Sequence, residues 1–175
     1  MALRPPISEK DHMQGDANAA IVLVEYGDYQ CPHCGRAYPI IKRLQEELGS
    51  NLKFIFRNFP LKNIHPEATI AAIASEAAAI QGLFWEMHDI IFENQDSLDM
   101  DSLVAYAGEL GMDIDRFIND MENSLLAKKV EDDFESGIRS GVNATPTFFI
   151  NGVKYNNGWE GERLLAFIKE TYAVI

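Results

Sequence analysis

The segment Ile21-Val22-Leu23-Val24-Glu25-Tyr26 constrains this chain most, because it is apolar at consecutive positions apart from one acid and ends at Gly27-Asp28. A run of that kind has no polar side to give to solvent, so it reads as a strand buried on both faces, with layers of structure above and below. A helix follows at once. Ala37, Ile40, Ile41, Leu44 and Leu48 recur at helical spacing, and Gly49 is placed to end a helix running from about 31 to 48. Pro39 should kink it, since its ring clashes with the Gly35 carbonyl and it has no N–H. Leu52 to Phe59 reads as a second strand, ended by Pro60. Strand, helix and strand make a β-α-β unit that should be parallel and right-handed.

From His65-Pro66 to about Ser140 the period is helical throughout. The spacing predicts helices over Ile70 to Ile80, Leu83 to Phe92, Ser102 to Leu110, Asp115 to Met121 and Leu125 to Ile138, with Gly82, Gly111 and Gly141 as breakers. Strands return at Thr147-Phe148-Phe149-Ile150 and Val153-Lys154-Tyr155, joined by Asn151-Gly152, which supplies the two positive-φ residues of a type I′ turn. A last amphipathic helix carries Leu164, Leu165, Ile168 and Tyr172. The order β-α-β, helical stretch, β-β-α is that of an α/β protein whose frame (11–64 and 141–175) holds an all-helical insertion (65–140). Residues 1–10, with Arg4-Pro5-Pro6, read as an extended and poorly tied-down terminus.

A chain of 175 residues with 47% hydrophobic residues can bury roughly 70% of the surface it exposes unfolded, so neither disulfide staples nor a structural metal is required. The net charge is −12, and residues 93–135 carry thirteen acids against Arg116, Lys128 and Lys129. That balance excludes nucleic acid and anionic membranes as partners, since both need clustered Lys and Arg. It suits solubility, with selection of cationic substrates a lesser reading. No apolar stretch reaches the roughly 18 residues of a transmembrane helix. Arg4, Glu9, Lys10, Asp11 and His12 interrupt any signal-peptide core, so the expected location is either the cytoplasm or, for a mature form freed of its export signal, the periplasm or another extracytoplasmic space.

The chemistry lies at Cys31-Pro32-His33-Cys34, which holds both cysteines of the chain where the first strand meets its helix. Unpaired N–H groups and the helix dipole favour an anion there, so the Cys31 thiol should ionise readily, in the range of roughly 3.5–7.5 that such sites show. Pro32 suits a first turn, and His33 can add a positive charge or a donor to the thiolate. Cys34, one turn in, should be shielded. Cys31 is then the exposed sulfur that exchanges with a substrate, and Cys34 the resolving partner. A zinc site would need a second ligand pair, which the scattered His12, His65 and His88 do not supply, so no metal is expected. A purely structural disulfide closing so short a loop would contribute little stability.

Cys-Pro-His-Cys after a strand, the Phe84-Trp85-Glu86-Met87-His88-Asp89 stretch, and Gly141-Val142-Asn143-Ala144-Thr145-Pro146-Thr147-Phe148-Phe149-Ile150-Asn151-Gly152 far downstream together resemble the DsbA-type thiol:disulfide oxidoreductases of the thioredoxin superfamily. The resemblance spans roughly residues 12–172. It implies a thioredoxin fold with a helical insertion and an enzyme that exchanges disulfides with protein or peptide thiols, without a diffusible cofactor. It also implies a DsbB-type, quinone-linked membrane reoxidant and a monomer, since the chain has no room for the dimerisation domain of DsbC-type isomerases. Pro146 corresponds to the family's cis-proline, packed against the dithiol, with Thr145 offering its backbone to a substrate strand; the plain alternative is a trans proline starting a strand. Thr145 itself is similar to the residue at that position in the isomerases. Glu25 corresponds to a buried acid that trades protons with Cys34, against a carboxylate that reaches solvent or pairs with Lys53 or Arg57. Trp85, with Phe84 and Met87, lines a peptide groove or belongs to the core. His65 and His88 are read as structural. The rivals to a disulfide donor are a cytosolic reductase or isomerase of the same fold, and a thioredoxin-like module that binds peptides or metal without turnover.

Overall fold

The computed structural model describes residues 1–172. Five strands form one sheet in the order β1-β3-β2-β4-β5, comprising β1 (His12–Gly15), β2 (Ile21–Gly27), β3 (Leu52–Asn58), β4 (Thr147–Ile150) and β5 (Val153–Lys154). β2 and β3 pair in parallel, from Ile21 opposite Leu52 to Gly27 opposite Asn58, and every other pairing is antiparallel. The central strands are buried on both faces, as a continuous apolar run requires. Leu23, Phe54 and Phe56 pack with the helices on one side, while Val24, Tyr26, Ile55 and Phe149 pack with Phe59 and Val142 on the other.

Helix α1 (Pro32–Leu48) connects β2 to β3, running through Pro39 and burying Ala37, Ile41, Leu44 and Leu48. The insertion comprises α2 (Ala68–Ile80), α3 (Phe84–Glu93), α4 (Met100–Glu109), α5 (Ile114–Met121) and α6 (Ser124–Arg139), and α7 (Arg163–Tyr172) follows the last hairpin. Part of the acid excess caps these helices: Asp99 accepts the Ser102 N–H and Asp113 the Arg116 N–H, as side chains at this position do. Residues Asn151 and Gly152 have φ of 48° and 79°, so the hairpin has the primed turn its sequence demands. In α6, a Cβ on Gly137 would come within 2.5 Å of the Phe59 ring. Glycine therefore sets how closely that helix approaches the sheet.

Two N-terminal segments depart from the sequence reading. β1 was not legible, because its four residues alternate between half-buried and exposed and carry no β-branched pattern. The expectation of a poorly tied-down terminus is corrected as well. Leu3 is buried, its N–H donates to the Gly152 carbonyl at 2.9 Å, and the Lys154 N–H donates to Met1. Ala2 bridges to Val153, so the terminus adds backbone pairing to the edge of β5. Arg57 fixes the next residues by donating to the carbonyls of Pro5 and Pro6.

Candidate active site

Cys31 caps the N-terminus of α1 with extended backbone (φ −70°, ψ 122°), and Pro32 follows in the first turn, where its missing N–H leaves nothing unpaired. Both cysteines are free thiols. Cys31 is 4% exposed and Cys34 0%. The order of exposure is as expected, but the openness of Cys31 is corrected: its S–H lies 3.5 Å from the Thr145 carbonyl, which helps to cover the sulfur.

The two sulfurs differ in charge preference. The Cys34 thiol donates to the Cys31 sulfur, and although burial opposes it, the Thr145 side chain and the amides of Cys34 and His33 add to the donation, so the Cys31 thiol is pulled down to about 5. Thr145 Oγ1 is buried with no partner, which leaves its hydroxyl free to turn to the Cys31 thiolate. Burial first, then the hydrogen bond and charge at Cys31 and the charge of Glu25, push Cys34 far up. One sulfur is built to be an anion and the other to keep its proton.

His33 acts differently from its sequence reading. The ring is exposed, and Nδ1 lies 2.7 Å from the Arg36 guanidinium. A guanidinium has donors only, so Nδ1 accepts and the ring carries no proton there. Its contribution to Cys31 is the backbone N–H. Glu25 is 2% exposed and its Oε1 has no partner; burial, then the charge at Cys31, push its carboxyl up to about 8. Neither suggested cation reaches it. Lys53 donates to the Ala17 carbonyl, and Arg57 is engaged by Asp11 at 2.7 Å and by the Tyr26 hydroxyl at 2.9 Å.

The Thr145–Pro146 peptide is cis and leads into β4. Trp85 stands apart from these groups: its ring packs 5.6 Å from Phe54, and its indole N–H donates to the Met13 carbonyl in β1. Phe84 and Met87 are buried core residues. Apolar packing at helical spacing thus takes Phe84 and Met87 into the core, while Trp85 is half-buried against it. Among the described residues no three His, Cys, Asp or Glu side chains gather as a metal-ligand set.

Two residues at the site were missed. Gln95, between α3 and α4, donates its amide to the carbonyls of Tyr29 at 2.8 Å and Cys31 at 3.0 Å, clamping the loop before α1 from the insertion. Asp28 accepts the N–H groups of Gln30 and Cys31. A signal existed for Asp28, because an Asp three residues before a helix-capping residue favours such a turn. None existed for Gln95, whose partners lie more than sixty residues away.

The family model described as Thioredoxin matches residues 7–170. Among curated proteins, the sodium/proton antiporter NhaA 1 of Mycolicibacterium vanbaalenii is 42% identical over 165 residues, which is 93% of this chain and 27% of that protein. The chain thus spans about a quarter of the length of the curated relatives it matches. Among solved structures, a doubly substituted form of Wolbachia pipientis alpha-DsbA1 superposes with a TM-score of 0.84 at 25% identity, covering 98% of this chain and 94% of that one. Oxidised BdbD of Bacillus subtilis gives 0.81 at 24% identity, covering 94% of each chain.

Proposed function

The chain belongs to the thioredoxin family as a DsbA-like member, and from that premise we propose that it is a protein thiol:disulfide oxidoreductase working as a disulfide donor. What supports this is the split within one motif, with Cys31 at the N-terminus of α1 beside the Thr145 carbonyl, its thiol pulled down to about 5, and Cys34 fully buried with its thiol pushed up.

A substrate thiolate attacks Cys31 Sγ of the oxidised pair. The S–S bond to Cys34 breaks as the mixed disulfide forms, and Cys34 leaves as a thiolate. Glu25, whose carboxyl holds its proton to about pH 8, supplies the proton that Cys34 needs in its buried position. A second substrate thiolate attacks the substrate sulfur of the mixed disulfide and expels Cys31, a good leaving group because its thiolate is stabilised. Thr145, with its carbonyl 3.5 Å from Cys31 Sγ, offers main-chain pairing to an extended substrate, and Pro146 shapes that edge.

The natural substrates are protein or peptide thiols, the reoxidant is a DsbB-type membrane enzyme, the working unit is a monomer, and the compartment is extracytoplasmic. Transport activity belongs to the antiporters whose names carry it; no helix among the described residues is long and apolar enough to cross a membrane. The similarity of Thr145 to isomerases keeps one second reading, a reductase or isomerase, and the potential of the Cys31/Cys34 couple separates the two. A donor has a potential of about −180 mV or higher and a reduced form that withstands more urea than the oxidised form; a reductant lies near −270 mV with the order reversed. Absence of any exchange with glutathione overturns both.

A further inference from the structure

Asp28 has no part in the exchange just described, yet it touches both cysteines. Its side chain is fully covered and meets donors on every side. Oδ1 accepts the N–H of Gln30 at 2.8 Å and of Cys31 at 3.1 Å. Oδ2 accepts the N–H of Leu61 at 2.8 Å and lies 2.8 Å from His65 Nδ1. Carboxylate oxygens accept, so His65 Nδ1 is the donor of that pair. The backbone N–H of Asp28 donates to Cys34 Sγ at 3.4 Å. One residue is therefore bonded to the amide of the first cysteine, to the sulfur of the second, and to the segment between β3 and α2.

We propose that Asp28 is a positioning residue for the dithiol, anchored on its far side by Leu61 and His65, and that it keeps Cys31 Sγ aligned with the donors that stabilise its thiolate. This rests on the reading of Cys31 as the exchanging thiolate. Two effects of the carboxylate oppose each other. Its charge disfavours a second anion at Cys31, whereas its hydrogen bonds hold the thiolate's donors in place. The titratable groups around it are Cys31 and Cys34 from α1, Glu25 from β2 and His65 from the segment after β3; His33 is turned outward onto Arg36. Loss of the carboxylate thus moves Cys31 in a direction that identifies the dominant effect.

The test is the iodoacetamide labelling rate of Cys31 against pH in the reduced full chain, with thermal unfolding in parallel, for wild type, Asp28→Ala, Asp28→Asn and His65→Ala. The wild-type midpoint should lie near pH 5, as the thiol does. Asp28→Ala should raise it by about one unit or more. Asp28→Asn, which keeps an oxygen for the Gln30 and Cys31 amides, should recover more than half of that shift, and His65→Ala should move it upward by less than Asp28→Ala. A lower midpoint in Asp28→Ala means charge dominates and overturns the proposal. An unchanged midpoint with a lower melting temperature also overturns it, since that is fold support alone. If Asp28→Ala does not fold, the other two variants decide, and two unmoved midpoints overturn it. A wild-type midpoint near 8.5, as in free cysteine, overturns the reading of Cys31 and this proposal together, whereas the other adverse outcomes leave that reading standing.

Discussion

Cys31 and Cys34 stand one helical turn apart, and what separates them chemically is donor supply against burial. Their difference fixes how the redox potential responds to pH. Below about pH 5, reducing the disulfide takes up two protons with two electrons, and the potential falls by about 59 mV per unit. Above it, Cys31 is released as a thiolate and only Cys34 takes a proton, so the slope drops to about 30 mV per unit. A protein-film or glutathione titration from pH 4 to 8 should show that break, and a straight 59 mV line means that Cys31 keeps its proton. Thr145→Val removes one donor at nearly constant volume and should move the break upward by about one unit, since a hydrogen bond to a charged group contributes about 1.5 kcal/mol. The linkage has a definite sign: a depressed thiol adds stability to the reduced fold above its unfolded value, and that stability is lost as pH falls through about 5. The margin of reduced over oxidised protein should therefore shrink on acidification. The motif made an acidic Cys31 readable in advance, whereas the Thr145 hydroxyl, contributed from across the fold, was not.

At the level of elements, α1 owes its position to the insertion as much as to the sheet. A Cβ on Gly35 would run into Gln95 Oε1, so an alanine there must push the Gln95 amide off the Tyr29 and Cys31 carbonyls. Losing those two hydrogen bonds costs about 2 kcal/mol, while replacing glycine within a helix returns about 1. Gly35→Ala should thus destabilise the wild type by about 1 kcal/mol and stabilise Gln95→Ala by about 1, a change of sign that urea unfolding of the four proteins can read. Additive effects would mean that Gln95 does not hold α1. The helices themselves were legible because their apolar spacing is strong; β1 was not, being recruited only by the free edge of β3.

Across the whole molecule, a buried polar network joins insertion and sheet. Glu76 of α2 lies 2.8 Å from His12 of β1 and accepts the Asn58 amide of β3 at 3.0 Å, while Asp133 of α6 accepts the Asn58 N–H at 3.2 Å. Lys129 binds Asp133 at 2.8 Å and approaches Glu76 at 3.7 Å. Burial pushes the Asp133 carboxyl up to about 6 against the pull of Lys129, so folding weakens as pH rises from the ordinary carboxylate range through that value. Lys129→Met leaves two covered carboxylates facing each other and should cost about 3 kcal/mol at pH 8, falling to about 1 at pH 5, where Asp133 is protonated. A loss equal at both pH values in urea melts would show that Lys129 contributes packing and not charge.

Sequence alone determined the parallel β-α-β unit, the helical character of the insertion, the primed hairpin turn and the dithiol at a strand-to-helix junction. Each depends on residues close together along the chain, whose periodicity or turn preference acts locally. Only the tertiary structure decided that the N-terminus pairs with β5, that Trp85 belongs to the packing on Phe54, that His33 turns to Arg36, and that Asp28 and Gln95 converge on Cys31. The physical reason is that a buried polar atom takes whichever partner the fold brings within about 3 Å. Those partners can lie far away along the chain, 114 residues in the case of Cys31 and Thr145.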